Sequence, residues 1–339
     1  MRMKAVRVHG PGDVRIDEVP TPDIGPNDVL VRVVASGICG SDVTYVTTGG
    51  VAAPAAEPFG LGHEFAGVVE VVGANVAAIA PGMRVIVNPM GDGNGVGNGG
   101  PDGAFAPFVI VRNATRGSSI LPIPDDMPFD RAALAEPLSV GLHAVNRADP
   151  EPGDKVAVYG AGPIGLGICF HLLRRGITEL VSIDMSDERL ARARALGVRH
   201  TINPGREDVA QVLGDLHGRD SLFGWSVIGT NIHIEASGAP PVIPQIIGMA
   251  PHAAKLIVVA VYHKPVPVDF QMALGKEMSI ITSCAYPNEF PAVIEALADP
   301  AFDLTPMVSH RFPLDDFMEA FATAKDKDRS AKVLITFDR

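Results

Sequence analysis

With 339 residues, 47% of them hydrophobic and 20% charged, the chain can fill two cores and is too apolar for disorder to be the default. Its formal net charge of −11 excludes the basic footprint that nucleic acid or an anionic membrane surface demands, which leaves small molecules as the expected partners. Cys39, Cys169 and Cys284 are too few and too scattered for a disulfide framework, so a cytoplasmic setting is expected.

The N-terminal residues Met1 to Val8 alternate charged and apolar side chains and lack the apolar stretch of a signal peptide. Short β-branched runs at 5–8, 29–35, 66–72, 84–87 and 105–111, separated by Gly and Pro punctuators, predict a β-rich, barrel-like first domain. Two stretches inside it carry chemistry. Gly37-Ile38-Cys39-Gly40-Ser41-Asp42 offers a thiolate, and Gly62-His63-Glu64 offers an imidazole beside a carboxylate. Sulfur, nitrogen and oxygen donors together suit an open Zn²⁺ site. A lone buried cysteine or a hydrogen-bonded histidine is the plainer reading of either stretch alone. The Gly/Asn-rich run 91–100 reads as a flexible loop with no side chain to anchor it. The apolar spacing of 132–145 predicts a helix, with Pro137 tolerated in its first turn.

From Lys155 the pattern alternates strand and helix. The strand 155–159 runs straight into Gly160-Ala161-Gly162-Pro163-Ile164-Gly165 and an apolar helix, and the next strand, 180–184, ends in Asp184. A G-x-G-x-x-G between strand and helix, followed by an acid at the end of the second strand, is the dinucleotide-binding fingerprint. The glycines let the backbone approach a pyrophosphate, and the helix N-terminus supplies N–H groups and partial positive charge. A carboxylate at Asp184 accepts from ribose hydroxyls and repels a 2′-phosphate, so NAD is expected over NADP. Gly160, Gly162, Pro163, Ile164, Gly165, Asp184 and Arg189 are the candidate cofactor residues. Helices near 187–196, 207–216 and 243–250 and strands at 200–202, 233–238, 255–261 and 278–283 complete a doubly wound parallel sheet. The run 256–261 is strand length, far short of the ~20 residues of a membrane helix.

Over nearly its whole length the sequence resembles the zinc-dependent medium-chain dehydrogenases of the alcohol, sorbitol and butanediol type. The resemblance rests on 37–42, Gly62-His63-Glu64-Phe65-Ala66-Gly67, 102–106, Ala135-Glu136-Pro137-Leu138, the Gly160 loop and the closing 309–314. It implies an α/β fold with a Rossmann sheet at 145–286 and a GroES-like catalytic domain made of 1–144 and 287–339. It also implies one catalytic zinc on Cys39 and His63, with the third ligand from Glu64 or Glu136, and Asp42 bonding the far nitrogen of His63. A zinc ion lowers the pKa of a bound hydroxyl from ~15.7 toward ~7; a hydride then passes to NAD⁺, with Ser41 and Thr44 carrying the proton out. Homodimers or homotetramers are common among such proteins.

Three departures bear on function. The four-cysteine lobe that holds a structural zinc in many members is replaced by the cysteine-free loop between Asn88 and Asp102, so one zinc per chain is expected. Thr44 stands where relatives often have a histidine and can pass a proton but not store one. Ala285 stands near where polyol-type members carry an arginine. With the small, apolar segment 45–54 as a pocket wall, this favours a secondary alcohol or its ketone, including a vicinal diol, over a polyol or threonine. A metal-free quinone or enone reductase and a non-catalytic nucleotide-binding protein are the readings from other classes; Asp184 and the Cys39, His63 and Glu64 set oppose the first, Ser41 the second.

Overall fold

The computed structural model describes residues 1–337. The chain divides into two compact units, Met1–Glu136 with the segment from Phe290 onward, and Pro137–Glu289. The divisions fall at 136/137 and 289/290 rather than at 144/145 and 286/287. The first lies inside the helix Ala135–Ala148, because that helix packs on the helix Pro163–Arg174: a Cβ on Gly141 would lie 3.0 Å from the Gly167 backbone, and Leu138 accepts a hydrogen bond from His171. At the second, Glu289 is held by His143 and Asn146 of the same helix.

In the first unit, the strand Val29–Gly37 is central. It pairs antiparallel with Glu64–Val72 on one side, with Lys332–Thr336 on the other, and with Phe108–Val111. Arg84–Val87, Ile120–Pro122 and Val308–Pro313 complete a seven-stranded sheet. A second sheet orders Asp13–Pro20, Arg2–Gly10 and Phe59–Gly60; Asp13–Pro20 is a strand that the β-branched runs did not reveal, since its inward and outward positions carry mixed acidic and apolar residues. Valines 29, 31 and 33 with Phe65, Val85 and Val109 fill one core. The register brings Gly37 opposite Glu64 and Leu334 opposite Gly37, so three distant segments meet at one strand end.

The loop 91–100 is a correction to the sequence reading. Val96 is buried in the core, and Asn94 brackets Arg112, donating to its carbonyl at 2.9 Å and accepting from its N–H at 2.7 Å. Gly97 has φ 62° and sits where a Cβ would come within 2.1 Å of the Gly62 carbonyl oxygen. One valine and one asparagine suffice to anchor it; the glycines allow close contact.

The second unit is a six-stranded parallel sheet in the order His200–Ile202, Glu179–Ile183, Lys155–Tyr159, Ile232–Glu235, Lys255–Val258, Ser279–Thr282. Numbered along the unit, that is the doubly wound order 3-2-1-4-5-6. Helices Val209–His217 and Val242–Met249 bury Leu213, Ile243, Ile246 and Ile247 against it. The strand expected over 255–261 stops at Val258, and Val261 is exposed. A hairpin, Arg219–Leu222 with Trp225–Ile228, was not foreseen.

Candidate functional site

Cys39 is the N-cap of the helix Gly40–Thr48, and Asp42 is its third residue. The Asp42 carboxylate is fully buried and accepts the Cys39 N–H at 2.8 Å and the Gly62 N–H at 3.4 Å. Oδ1, the oxygen that faces the Gly62 N–H, lies 3.5 Å from His63 Nδ1. Helix capping and imidazole orientation are therefore done by one carboxylate, and two separate loops are fixed with respect to each other. With Nδ1 turned toward Asp42, Nε2 is the ring atom left for a metal; it lies 3.3 Å from Ser41 Oγ.

Ligand atoms of Cys39, His63 and Glu64 all lie within 4.8 Å of one another, the one such trio of His, Cys, Asp and Glu among the described residues. Burial alone would depress the His63 pKa, but Asp42 and Cys39 outweigh it and hold it well above the ordinary histidine value. A cluster of buried anionic groups around a histidine is one a divalent cation would stabilise, and the sulfur, nitrogen and oxygen donors fit zinc.

Lys332 is the functional neighbour that sequence reasoning missed. Its ammonium, 2% exposed with its side chain buried, donates to Glu64 Oε1 at 2.7 Å and to the Ile38 carbonyl at 3.1 Å. Oε2 of Glu64 lies 2.5 Å from the same nitrogen, so the ammonium sits against both carboxylate oxygens. Burial would lower the Lys332 pKa; Glu64, Cys39 and Glu136 together raise it above the ordinary value. Gly37 makes room for the pair, because a Cβ there would lie 2.2 Å from Glu64 Oε2 and 3.0 Å from Lys332 Cδ. A lysine at the start of a C-terminal strand is unremarkable in sequence, and only the register of the strand Lys332–Thr336 against Val29–Gly37 brings it here.

Glu136, the other candidate ligand, is 8% exposed and interacts with Lys332, but it is not a member of the Cys39, His63, Glu64 trio. Thr44 donates back to the Gly40 carbonyl at 3.3 Å, which engages its proton within the helix. Residues 45–48 continue that helix and 51–57 are exposed, so the segment 45–54 is not a continuous apolar wall. Its one aromatic, Tyr45, is half-buried with its hydroxyl bonded to Asn98 and interacting with Ser41; burial raises its pKa first, tempered by the nearby His63.

In the second unit, Gly160 (φ 97°) abuts Ser237, where a Cβ would lie 2.9 Å from the backbone, and a Cβ on Gly165 would lie 1.8 Å from the Gly160 carbonyl oxygen. Gly162 is different: it is the N-cap of the helix Pro163–Arg174, with Pro163 and Ile164 opening that helix, and a Cβ there meets only the Arg189 guanidinium at 3.6 Å. Two glycines serve packing, and the third keeps open the face that a pyrophosphate would approach. Asp184 accepts the Ala161 N–H at 2.7 Å and the Ser186 N–H at 2.8 Å, which seats its carboxylate against the loop.

A sheet ordered for a dinucleotide and a mixed-donor metal trio belong together in one class of protein, the metal-dependent dehydrogenases. Comparison with known proteins narrows this. Family models described as alcohol dehydrogenase GroES-like domain and zinc-binding dehydrogenase match residues 25–125 and 163–299. The sorbitol dehydrogenase of Mus musculus is 34% identical over 348 residues, covering 98% of this chain and 95% of its own. The crystal structure of 2R,3R-butanediol dehydrogenase from Bacillus subtilis superposes with a TM-score of 0.87 at 29% identity, covering 99% and 100% of the two chains. A zinc-binding dehydrogenase from Sinorhizobium meliloti, solved bound to NADP, gives a TM-score of 0.84 at 26% identity over 99% and 100%. The chain belongs to the zinc-dependent medium-chain alcohol dehydrogenase family, and it is an oxidoreductase acting on CH–OH groups.

Proposed function

We propose that the chain interconverts a secondary alcohol and its ketone with NAD as the hydride acceptor, using one zinc ion held by Cys39, His63 and Glu64. The observation that carries this reading is the convergence of those three side chains within 4.8 Å around a buried Asp42. Zinc in such a site supplies Lewis acidity that lowers the pKa of a bound hydroxyl. The chain's own groups do the rest. Asp42 fixes the His63 tautomer, Lys332 holds Glu64, Ser41 beside His63 relays the alcohol proton by accepting it while donating its own hydrogen onward to water, and Asp184 seats the adenosine ribose, where its charge favours NAD over NADP. Glu136 stays outside the ligand set as a charge partner of Lys332. Vicinal diols and polyols are the substrate classes to test first, because the printed names of the mouse and Bacillus relatives are sorbitol and butanediol dehydrogenase. A homodimer or homotetramer is supported by the exposed edge strand Ser279–Thr282, whose Ile280 is 39% exposed. No helix among the described residues is long and apolar enough to cross a membrane, and the three free cysteines suit the cytoplasm.

The test is NADH formation at 340 nm from NAD⁺ with 2,3-butanediol, 2-butanol, sorbitol, xylitol and threonine, repeated with NADP⁺. The reading expects diol or polyol turnover with NAD⁺. Preference for NADP⁺ would overturn the role given to Asp184, and turnover of threonine alone would overturn the substrate class.

A further inference from the structure

At the carboxyl end of the second unit's sheet, one side chain joins the turns that follow the strands Glu179–Ile183 and His200–Ile202. Asn203 is 7% exposed. Its Nδ2 donates to the Met185 carbonyl at 3.1 Å and to Asp187 Oδ1 at 2.7 Å, and its Oδ1 accepts the Gly205 N–H at 2.9 Å. These partners fix the amide orientation, since a flipped amide would set nitrogen against an N–H and oxygen against two acceptors. The backbone is held as well: Glu207 Oε2 accepts the Asn203 N–H at 3.0 Å, and the Asn203 carbonyl accepts from the Arg206 and Glu207 N–H groups. Hydrogen bonding from Asn203, joined by Arg206, holds the Asp187 carboxyl below the ordinary carboxylate range.

The segment gripped in this way, 185–187, directly follows Asp184. Asp184 Oδ2 accepts the Ala161 N–H of the Gly160 loop, Oδ1 accepts the Ser186 N–H of the gripped turn, and the Asp184 N–H donates to the Ile202 carbonyl at 3.1 Å. A carboxylate has about four acceptor positions, so about two remain for ribose hydroxyls. We infer that Asn203 is a positioning residue for cofactor selection: by pinning the turn 185–187 it keeps the Asp184 carboxylate where it bonds an unmodified adenosine ribose and repels a 2′-phosphate. The inference rests on the proposed NAD reading and deepens it. Once the turn is unpinned the carboxylate swings out of place, so NAD loses its hydroxyl bonds while NADP loses an opposing charge. The two cofactors then respond in different senses, which a general loosening of the unit would not produce.

The experiment measures NADH and NADPH dissociation constants by nicotinamide fluorescence, and kcat and KM for NAD⁺ and NADP⁺ with the best alcohol. The variants are Asn203→Ala, Asn203→Ser, Asp184→Ala and the double variant Asn203→Ser, Asp184→Ala, beside wild type. Asn203→Ser preserves the local turn, because a serine hydroxyl accepts from the N–H two residues on, but it is too short to reach Met185 and Asp187. Both Asn203 variants should weaken NADH about tenfold, leave NADPH unchanged or tighter, and raise KM for NAD⁺ with kcat within about twofold. Without Asp184, Asn203→Ser should move the preference less than about twofold. Equal weakening of both cofactors, a wild-type preference in Asn203→Ser, or a full shift that persists without Asp184 would overturn the inference. If Asp184→Ala itself left the preference unmoved, the NAD reading would fall. A preference that moves in Asp184→Ala and in neither Asn203 variant overturns the role of Asn203 alone, and a wild type that binds neither cofactor overturns both.

Discussion

Replacing Lys332 with Met removes the ammonium that pairs with Glu64 in a site that also holds Cys39, His63 and Asp42. The Lys332 and Glu64 side chains are 2% and 0% exposed, so no solvent screening softens the change, and the carboxylate is left buried with neither its ion-pair partner nor its 2.7 Å donor. Breaking one side of a buried pair costs about 3–5 kcal/mol. In metal-free protein this should lower the urea midpoint of the first unit by roughly 1–2 M, for a slope of about 3 kcal/mol/M. Zinc changes the expectation. A divalent cation on Glu64 would supply the missing positive charge, so the loss in zinc-loaded protein should fall below half of that in metal-free protein. The double variant Lys332→Met, Glu64→Leu should recover most of the metal-free stability, because an apolar pair of similar volume has no charge to desolvate. The assay is urea unfolding followed by circular dichroism, with and without chelator. A metal-free loss under about 1 kcal/mol, or the same loss with and without zinc, would refute the reasoning.

Three further outcomes are expected. Gly162→Ala should leave thermal stability unchanged and weaken NADH binding at least tenfold, whereas Gly165→Ala should lose both, since its Cβ collides with the Gly160 carbonyl at 1.8 Å; equal behaviour of the two would contradict the division between packing and cofactor glycines. Asp42→Asn keeps a side-chain acceptor for the Cys39 N–H but removes the charge facing His63, and should weaken zinc binding 10–100-fold in competition with a chromogenic chelator. The third concerns acid. Burial pushes His171, His217 and His233 down to about 3, 4 and 3, below the ordinary value of about 6.5. The unfolded chain takes up these protons below pH ~6.5 while the folded chain refuses them, so the stability they contribute is complete above that pH and is lost as pH falls toward about 3. Their share of the slope near pH 5 is about three protons, or roughly 4 kcal/mol per pH unit, and His171→Gln should remove about one proton's worth.

The Rossmann unit was legible because its signals are local: the Gly160 loop, the acid closing the next strand and the alternating apolar runs each sit within a few neighbouring residues. The segments carrying Cys39, Asp42, His63 and Glu64 were legible for the same reason. Lys332 and Asn203 were not, since each becomes informative only through partners outside its own segment: Lys332 through strand register with Gly37 and Glu64, Asn203 through the turn 185–187 that follows the neighbouring strand. Thr44 shows the converse. Its position pointed to proton relay, while its hydroxyl is engaged one helical turn back. Local sequence sets which chemistry is present; tertiary pairing sets which groups are free to perform it.

The most direct measurement is the zinc content of purified protein, by elemental analysis, alongside NADH formation from the best diol or polyol, for wild type and Cys39→Ser. The account predicts one zinc per chain in wild type, turnover lost on chelation and restored by Zn²⁺, and neither stable zinc nor turnover in Cys39→Ser. Wild-type turnover that persists after the metal is removed, or full zinc occupancy in Cys39→Ser, would contradict the assignment of the Cys39, His63 and Glu64 trio as the catalytic metal site.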